Sequence, residues 1–243
     1  MNEPPEPVAG PAALHRFAAG IAHDLNNLLQ LILGNADLLR ADADVPEAGR
    51  GFLNQILNAG ERGKSLARQL AVFSGQQPVY RQPVDLNQVL RQMEPALRLT
   101  LGDEIELRFA HANNLPLAAA DLRLLEELLA ALAANARAAM PSGGRSEFGT
   151  ASLAVPAPAV PGPPGRRTGD YVVLWATDTG NAIPQADLPH LFEPYYTNPG
   201  LGRPLGLRWA FVHAVVQQHA GWIEVDGLPD RSTRLQLAFP VWR

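Results

Sequence analysis

The stretch from Pro11 to Leu39 constrains the fold more than any other part of the sequence. Apolar or small residues fall at Leu14, Ala18, Ile21, Leu25, Leu28, Ile32 and Leu39, broken once by the polar Asn35. The alternating spacing belongs to one long amphipathic helix with a coiled-coil or bundle seam. His23 lies two residues from both Ile21 and Leu25. At ~100° per residue it is turned roughly 200° from that seam, towards water. Asp24 adjoins it, and Asn26 and Asn27 follow. An exposed imidazole in that company is poised for chemistry rather than packing.

Ala41–Glu47 reads as a turn in which Pro46 suits a helix start. A second helix is expected over Glu47–Ser74, with apolar positions at Leu53, Ile56, Leu57, Leu66, Leu70 and Phe73 and local weak points at Gly60 and Gly63. Two long helices joined by a short turn make an antiparallel hairpin. A hairpin alone buries little surface, so the expectation is a homodimer whose hairpins form a four-helix bundle.

After Gly75–Pro83, which reads as a linker with two prolines, the pattern becomes mixed. Asp85 can cap a helix over Leu86–Leu101, and Asp121 one through Met140 that stops at Pro141-Ser-Gly-Gly144. Ile105–Ala110 alternates like a strand, Tyr171–Thr177 reads as a buried strand, and residues 156–169 as a Pro/Gly-rich loop. Leu205–Ala220 reads as a further helix, and Trp222–Val225 with Arg234–Phe239 as a closing hairpin. The expected class is α+β, with helices segregated on one face of a mixed sheet. The expected divisions are a disordered lead-in at 1–11, a histidine-bearing dimerisation domain at 12–75, a linker at 76–84 and a second domain at 85–243.

Composition narrows the chemistry. A net charge of −4 argues against a general nucleic-acid binder. No cysteine is present, which excludes disulfides and thiolate metal sites. No apolar run approaches the ~18–20 residues of a membrane span, and Met1–Pro11 has neither the basic nor the apolar region of a signal peptide. A cytoplasmic location is expected.

The order of the remaining motifs carries a resemblance. His23-Asp24-Leu25-Asn26-Asn27 resembles the phosphoacceptor box of two-component sensor histidine kinases. Leu132-Ala-Ala-Asn-Ala-Arg-Ala-Ala-Met-Pro141 resembles their asparagine box, and Asp178-Thr-Gly-Asn-Ala-Ile-Pro184 their first glycine box. Leu191-Phe-Glu-Pro-Tyr-Tyr-Thr197 resembles the phenylalanine box, and Gly200-Leu-Gly-Arg-Pro-Leu-Gly-Leu207 the second glycine box. Five motifs stand in family order from about residue 12 to 241. The resemblance implies an α/β-sandwich ATPase domain of the histidine kinase type after the bundle, with ATP and Mg²⁺ as cofactors. It implies that His23 takes the γ-phosphoryl group and passes it to an aspartate on a response-regulator receiver domain, with sensory input from another chain. Asp24 would orient His23 or take its proton, and Asn27 would position water for dephosphorylating the partner. Asn135 would hold Mg²⁺. Asp178 would bind the adenine amino group, with Gly180 admitting the ring. Gly200, Gly202 and Gly206 would cradle phosphates.

Plainer readings stand beside these: a histidine on a solvated face, a polar residue late in a helix, a turn aspartate, a bare flexible loop. Phe192 reads as lid packing either way, and His15, His111, His190, His213 and His219 as surface or packing residues. Five positions depart from the family pattern: Ala131 replaces a polar residue, Ala138 an acid and Ala182 a glycine. Asn198-Pro199 replaces a lysine, and Arg203-Pro204 a Thr-Gly pair. Pro204 removes an N–H from the phosphate loop. Because the departures weaken the case for ATP use, two alternatives are carried: a histidine phosphotransferase with a degenerate ATP domain, and a pseudokinase scaffold that binds a receiver.

Overall fold

Two helices form the first unit of the chain, Met1–Pro78, and a helix-covered sheet forms the second, Val79–Arg243. The computed structural model describes residues 11–41, 45–75, 78–157, 162–181, 183–194, 196, 207–227 and 233–243. The expected lead-in lies, up to residue 10, outside the described residues. Among the described residues no helix is long and apolar enough to cross a membrane.

Helix α1 runs Pro11–Ala41 and α2 runs Glu47–Phe73. Among the described side chains of α1, the protomer buries Ala18, Ala19, Ala22, Leu33 and Ala36. Leu33 and Ala36 form a cluster with Leu53 and Leu57 of α2. The contact within the hairpin is thus not made by the stripe read from the sequence as a coiled-coil or bundle seam. Ala18 is buried, but Ile21, Leu25, Leu28, Ile32 and Leu39 are exposed, Leu28 by 58%; the side chain of Leu14 lies outside the described residues. The physical reason lies in α2. A Cβ at Gly60 would stand 2.5 Å from Leu33 Cδ2, and one at Gly63 2.9 Å from Leu29 Cδ2. The leucines lie on bare helix backbone, so Gly60 and Gly63 are close-approach positions rather than weak points. The hairpin closes through its alanines together with Leu33, Leu53 and Leu57, and leaves a second apolar stripe outward, joined by Phe52, Ile56 and Leu66 of α2.

The second unit is α+β. Its elements are β1 (Gln82–Val84), α3 (Leu86–Leu101), β2 (Ile105–Ala110), β3 (Ala118–Ala120), α4 (Leu122–Ala139), β4 (Gly144–Val155), β5 (Gly169–Asp178), α5 (Arg208–Gln218), β6 (Trp222–Gly227) and β7 (Thr233–Pro240). Both caps form as read: Asp85 accepts from the N–H groups of Asn87 and Gln88, and Asp121 from that of Leu124. The main sheet has the order β2-β4-β5-β7-β6, with β2 and β4 parallel and the other pairs antiparallel. Helices α3, α4 and α5 pack on it. Its other face buries Val155, Tyr171, Val173, Trp222 and Ala238. Arg166 lies over the Trp222 ring and Arg234 over Trp175, closing that side.

Three strands depart from expectation. The stretch read as a linker supplies β1, which pairs with β3 in a separate two-stranded sheet, and β4 was not foreseen. Gly149 sits mid-strand in β4, directly opposite Trp175 of β5, and a Cβ there would run into the indole. The aromatic ring covers the gap that glycine leaves, so a residue poor for strands is here required.

His219 is a packing residue, fully buried. Its Nδ1–H donates to Val215 O at 2.6 Å, and Nε2 accepts from Asp121 N at 2.9 Å. The same corner ties in Tyr80, whose N–H donates to Asp121 Oδ2 at 3.0 Å, and Arg81, which donates to Gln218 O at 2.7 Å. Burial pushes the imidazole below its ordinary pKa of 6.5; Arg81 pushes it the same way, while the Val215 carbonyl and Asp121 oppose. The folded state thus holds His219 neutral, whereas the unfolded chain protonates it near 6.5. Its contribution is present in full above that pH and is lost as the pH falls below it. Denaturant unfolding at pH 7.5 and 5.5 checks this. His219→Gln, which keeps an acceptor but cannot take the proton, should show a shallower acid loss than wild type. His219→Ala, which strands the Asp121 N–H, should lose about 1–3 kcal/mol at pH 7.5.

Candidate functional site

Two groups of residues hold the chemistry, one on each unit. On α1, Ala22 is turned inward with 1% of its surface exposed, and the next residue, His23, is exposed. The Asn27 Nδ2 group lies 3.2 Å from His23 Nε2, four residues along the helix. With the amide donating, Nε2 is the acceptor and the ring proton sits on Nδ1. The nitrogen held by Asn27 therefore carries the lone pair, facing solvent. Asp24 is exposed and, among the described residues, hydrogen-bonded to neither. The helix thus brings His23 and Asn27 together and leaves Asp24 beside them.

On the second unit, the site is built where β5 ends. Asp178 is the last residue of that strand, with β4 and β7 on either side. Its Oδ1 accepts from Gly180 N at 3.0 Å. Burial pushes the Asp178 carboxyl above the usual carboxylate range, with the Gly180 N–H pulling the other way. A desolvated carboxylate of this kind favours a further donor, such as an exocyclic amine. The turn after Asp178 is laced down by Thr179 N to Arg145 O at 3.0 Å and Asn181 N to Ala139 O at 3.3 Å. A Cβ at Gly180 would stand 2.7 Å from both the Cβ and the O of Ala139, so only glycine permits this approach to α4.

One turn earlier on α4 stands Asn135, half-buried. Its Oδ1 is 3.4 Å from Arg208 Nη1, and its Nδ2 is buried without a hydrogen-bond partner among the described residues. That orphaned donor and the desolvated Asp178 fit a ligand with acceptors at one end and an amine at the other, as an adenine nucleotide has. For a divalent ion this face of α4 offers the Asn135 oxygen, with Ala131 and Ala138 one turn to either side. Among the described residues no cluster of three or more His, Asp or Glu side chains is placed to hold a metal. The single oxygen fits an ion that keeps its waters and phosphate ligands, as Mg²⁺ does.

Gly200, Gly202 and Gly206 lie outside the described residues, as do Ala182, Asn198, Pro199, Arg203 and Pro204. Phe192 packs its ring on His213, centroids 4.9 Å apart, and edge-on to Trp209; burial pushes His213 below its ordinary pKa. His190 stacks on Tyr196 and His111 on Phe109. The side chain of His15 lies outside the described residues. Sequence reasoning missed Arg208, the first residue of α5. The available signal was a basic residue directly behind the second glycine box.

Residues 13–76 match the family described as His Kinase A (phospho-acceptor) domain. Residues 120–243 match the family described as histidine kinase-, DNA gyrase B-, and HSP90-like ATPase. Among curated relatives, the sensor kinase CckA of Brucella abortus is 33% identical over 228 residues, covering 94% of this chain and 24% of that protein. The sensor histidine kinase ZraS of Escherichia coli O157:H7 is 30% identical over 233 residues, 94% of this chain and 46% of that one. The chain thus spans about a quarter to a half of the length of these relatives. Among solved structures, full-length ShkA in complex with AMPPNP superposes with a TM-score of 0.70 at 21% identity, covering 93% of this chain and 46% of that one. The Acinetobacter baumannii histidine kinase AdeS gives 0.55 at 17% identity, covering 93% and 99%.

The close approach of Gly180 to α4 is testable. Gly180→Ala should lower the unfolding free energy by about 1–3 kcal/mol, because backbone must move to admit the methyl. Gly20→Ala on α1, with nothing within 4 Å, should cost nothing and add up to ~1 kcal/mol through helix propensity. Denaturant titration of both variants decides it.

Proposed function

This chain belongs to the two-component sensor histidine kinase family, and we propose that it is a kinase core that phosphorylates its own His23. The observation that carries the reading is the pairing, in family order, of an exposed His23 held by Asn27 with an Asp178–Gly180–Asn135 arrangement suited to an adenine nucleotide. Bound ATP·Mg²⁺ would supply the phosphoryl group and the charge neutralisation its transfer needs. Asp178 would take the hydrogen bond of the adenine amine, Gly180 would admit the ring, and the Asn135 oxygen would hold the metal. His23 Nε2 would attack the γ-phosphorus with its lone pair once Asn27 releases it, the bond to the β,γ-bridging oxygen breaking so that ADP leaves, while Asp24 takes the Nδ1 proton. Gly200, Gly202 and Gly206 would cradle the phosphates. The phosphoryl group then passes to an aspartate of a receiver domain, and Asn27 orients the water that later dephosphorylates it.

The functional particle is a homodimer. A second copy buries the outward stripe of Ile21, Leu25, Leu28 and Ile32 with Phe52, Ile56 and Leu66, completing a four-helix bundle. The intact Asp178–Gly180–Ala139 contact favours the kinase over a phosphotransferase or a scaffold, neither of which needs a nucleotide pocket.

Incubation of the purified chain with γ-labelled ATP and Mg²⁺ tests the reading. Wild type should acquire an acid-labile label, His23→Ala none, and Asp178→Asn less than about a tenth of the wild-type amount, given the ~1.5–3 kcal/mol of a hydrogen bond to a charged group. Absence of label on well-folded wild type refutes the kinase. Label acquired only from a phosphorylated receiver would assign the phosphotransferase instead.

A further inference from the structure

The outward stripe of α1 carries one polar residue. Ile21, Leu25, Leu28 and Ile32 follow at steps of four, three and four, and Asn35 takes the next place, three after Ile32 and four before Leu39. At ~100° per residue, Asn35 lies within roughly 60° of Leu28, Ile32 and Leu39 around the helix. Like them it is exposed on the protomer.

Within the protomer the amide has little to do. Among the described residues it makes one hydrogen bond, from Nδ2 to Leu31 O at 2.9 Å. That carbonyl already accepts the Asn35 backbone N–H in the helix ladder, so the bond adds little. Asparagine is also a poorer helix former than leucine. A leucine here would favour the helix and complete the stripe, so the reason for an asparagine lies with whatever covers the stripe.

An amide buried among leucines without a partner is strongly unfavourable. In a two-fold homodimer one patch meets its own copy, and a second amide then stands where the first can reach it. An amide both donates and accepts, so it is its own complement. The rest of the stripe cannot choose a register. Sliding one α1 past its parallel copy by seven residues lays Ile21 in the place of Leu28, Leu25 in that of Ile32 and Ile32 in that of Leu39. Apolar still meets apolar at each of these positions. The slide fails at Asn35, which would face a leucine. A single polar residue in a seam fixes register and helix number in this way, at a cost in stability.

We propose that Asn35 pairs with the Asn35 of a second copy across the two-fold axis, and that this pair fixes the register and the dimeric state of the bundle. The inference rests on the homodimer reading above. The chain has no cysteine, so Asn35→Cys places one thiol on each protomer. Two such thiols join only where their Cα atoms stand about 4.4–6.8 Å apart. Under mild oxidation of the full chain, most of the Asn35→Cys protein should become a covalent dimer. Asp37→Cys, also exposed but turned roughly 200° from Asn35, should stay largely unlinked. In sedimentation, wild type should run as a single dimer and Asn35→Leu partly as species larger than a dimer. Asn35→Cys that links no faster than Asp37→Cys overturns the proposal, as does Asn35→Leu that remains a single dimer, and either result leaves the homodimer standing. Wild type that sediments as a monomer refutes the homodimer, and this proposal with it.

Discussion

The contact between the turn after β5 and the end of α4 organises the second unit. Gly180 lies so close to Ala139 that no side chain fits between them, and Asn181 N closes the approach by donating to the Ala139 carbonyl. That one contact fixes where the central strand delivers Asp178 relative to the helix that carries Asn135. Asp178 then sits half-buried at a strand end with sheet on either side, and burial raises its carboxyl. Among the described residues, only the Gly180 N–H offsets the desolvation at this place. Such a cost is recovered only when a donor arrives.

The hairpin works by the opposite allocation of surface. Its internal contact uses small residues and two glycines, so that Leu33 and Leu29 rest on the α2 backbone. Its larger apolar side chains point outward. The exposed leucine and isoleucine side chains are apolar surface whose burial would contribute ~25 cal/mol per Å². The same allocation leaves His23 on neither apolar face, beside an asparagine that can hold its ring and release it.

Much of this was legible in the sequence, and the exceptions have a common cause. Helices α3 and α4 were readable because Asp85 and Asp121 cap them locally. Asp178, Gly180 and Asn135 were readable as members of short motifs in order. Strand β4 was not, because Gly149 and its small neighbours make sense only beneath Trp175, supplied by the next strand. Strand β1 is three residues long and exists through its pairing with β3. Periodicity reports that a helix has an apolar stripe, not whether the hairpin itself covers it. His219 looked unremarkable because its partner Asp121 is 98 residues away. In each case the deciding interaction is non-local.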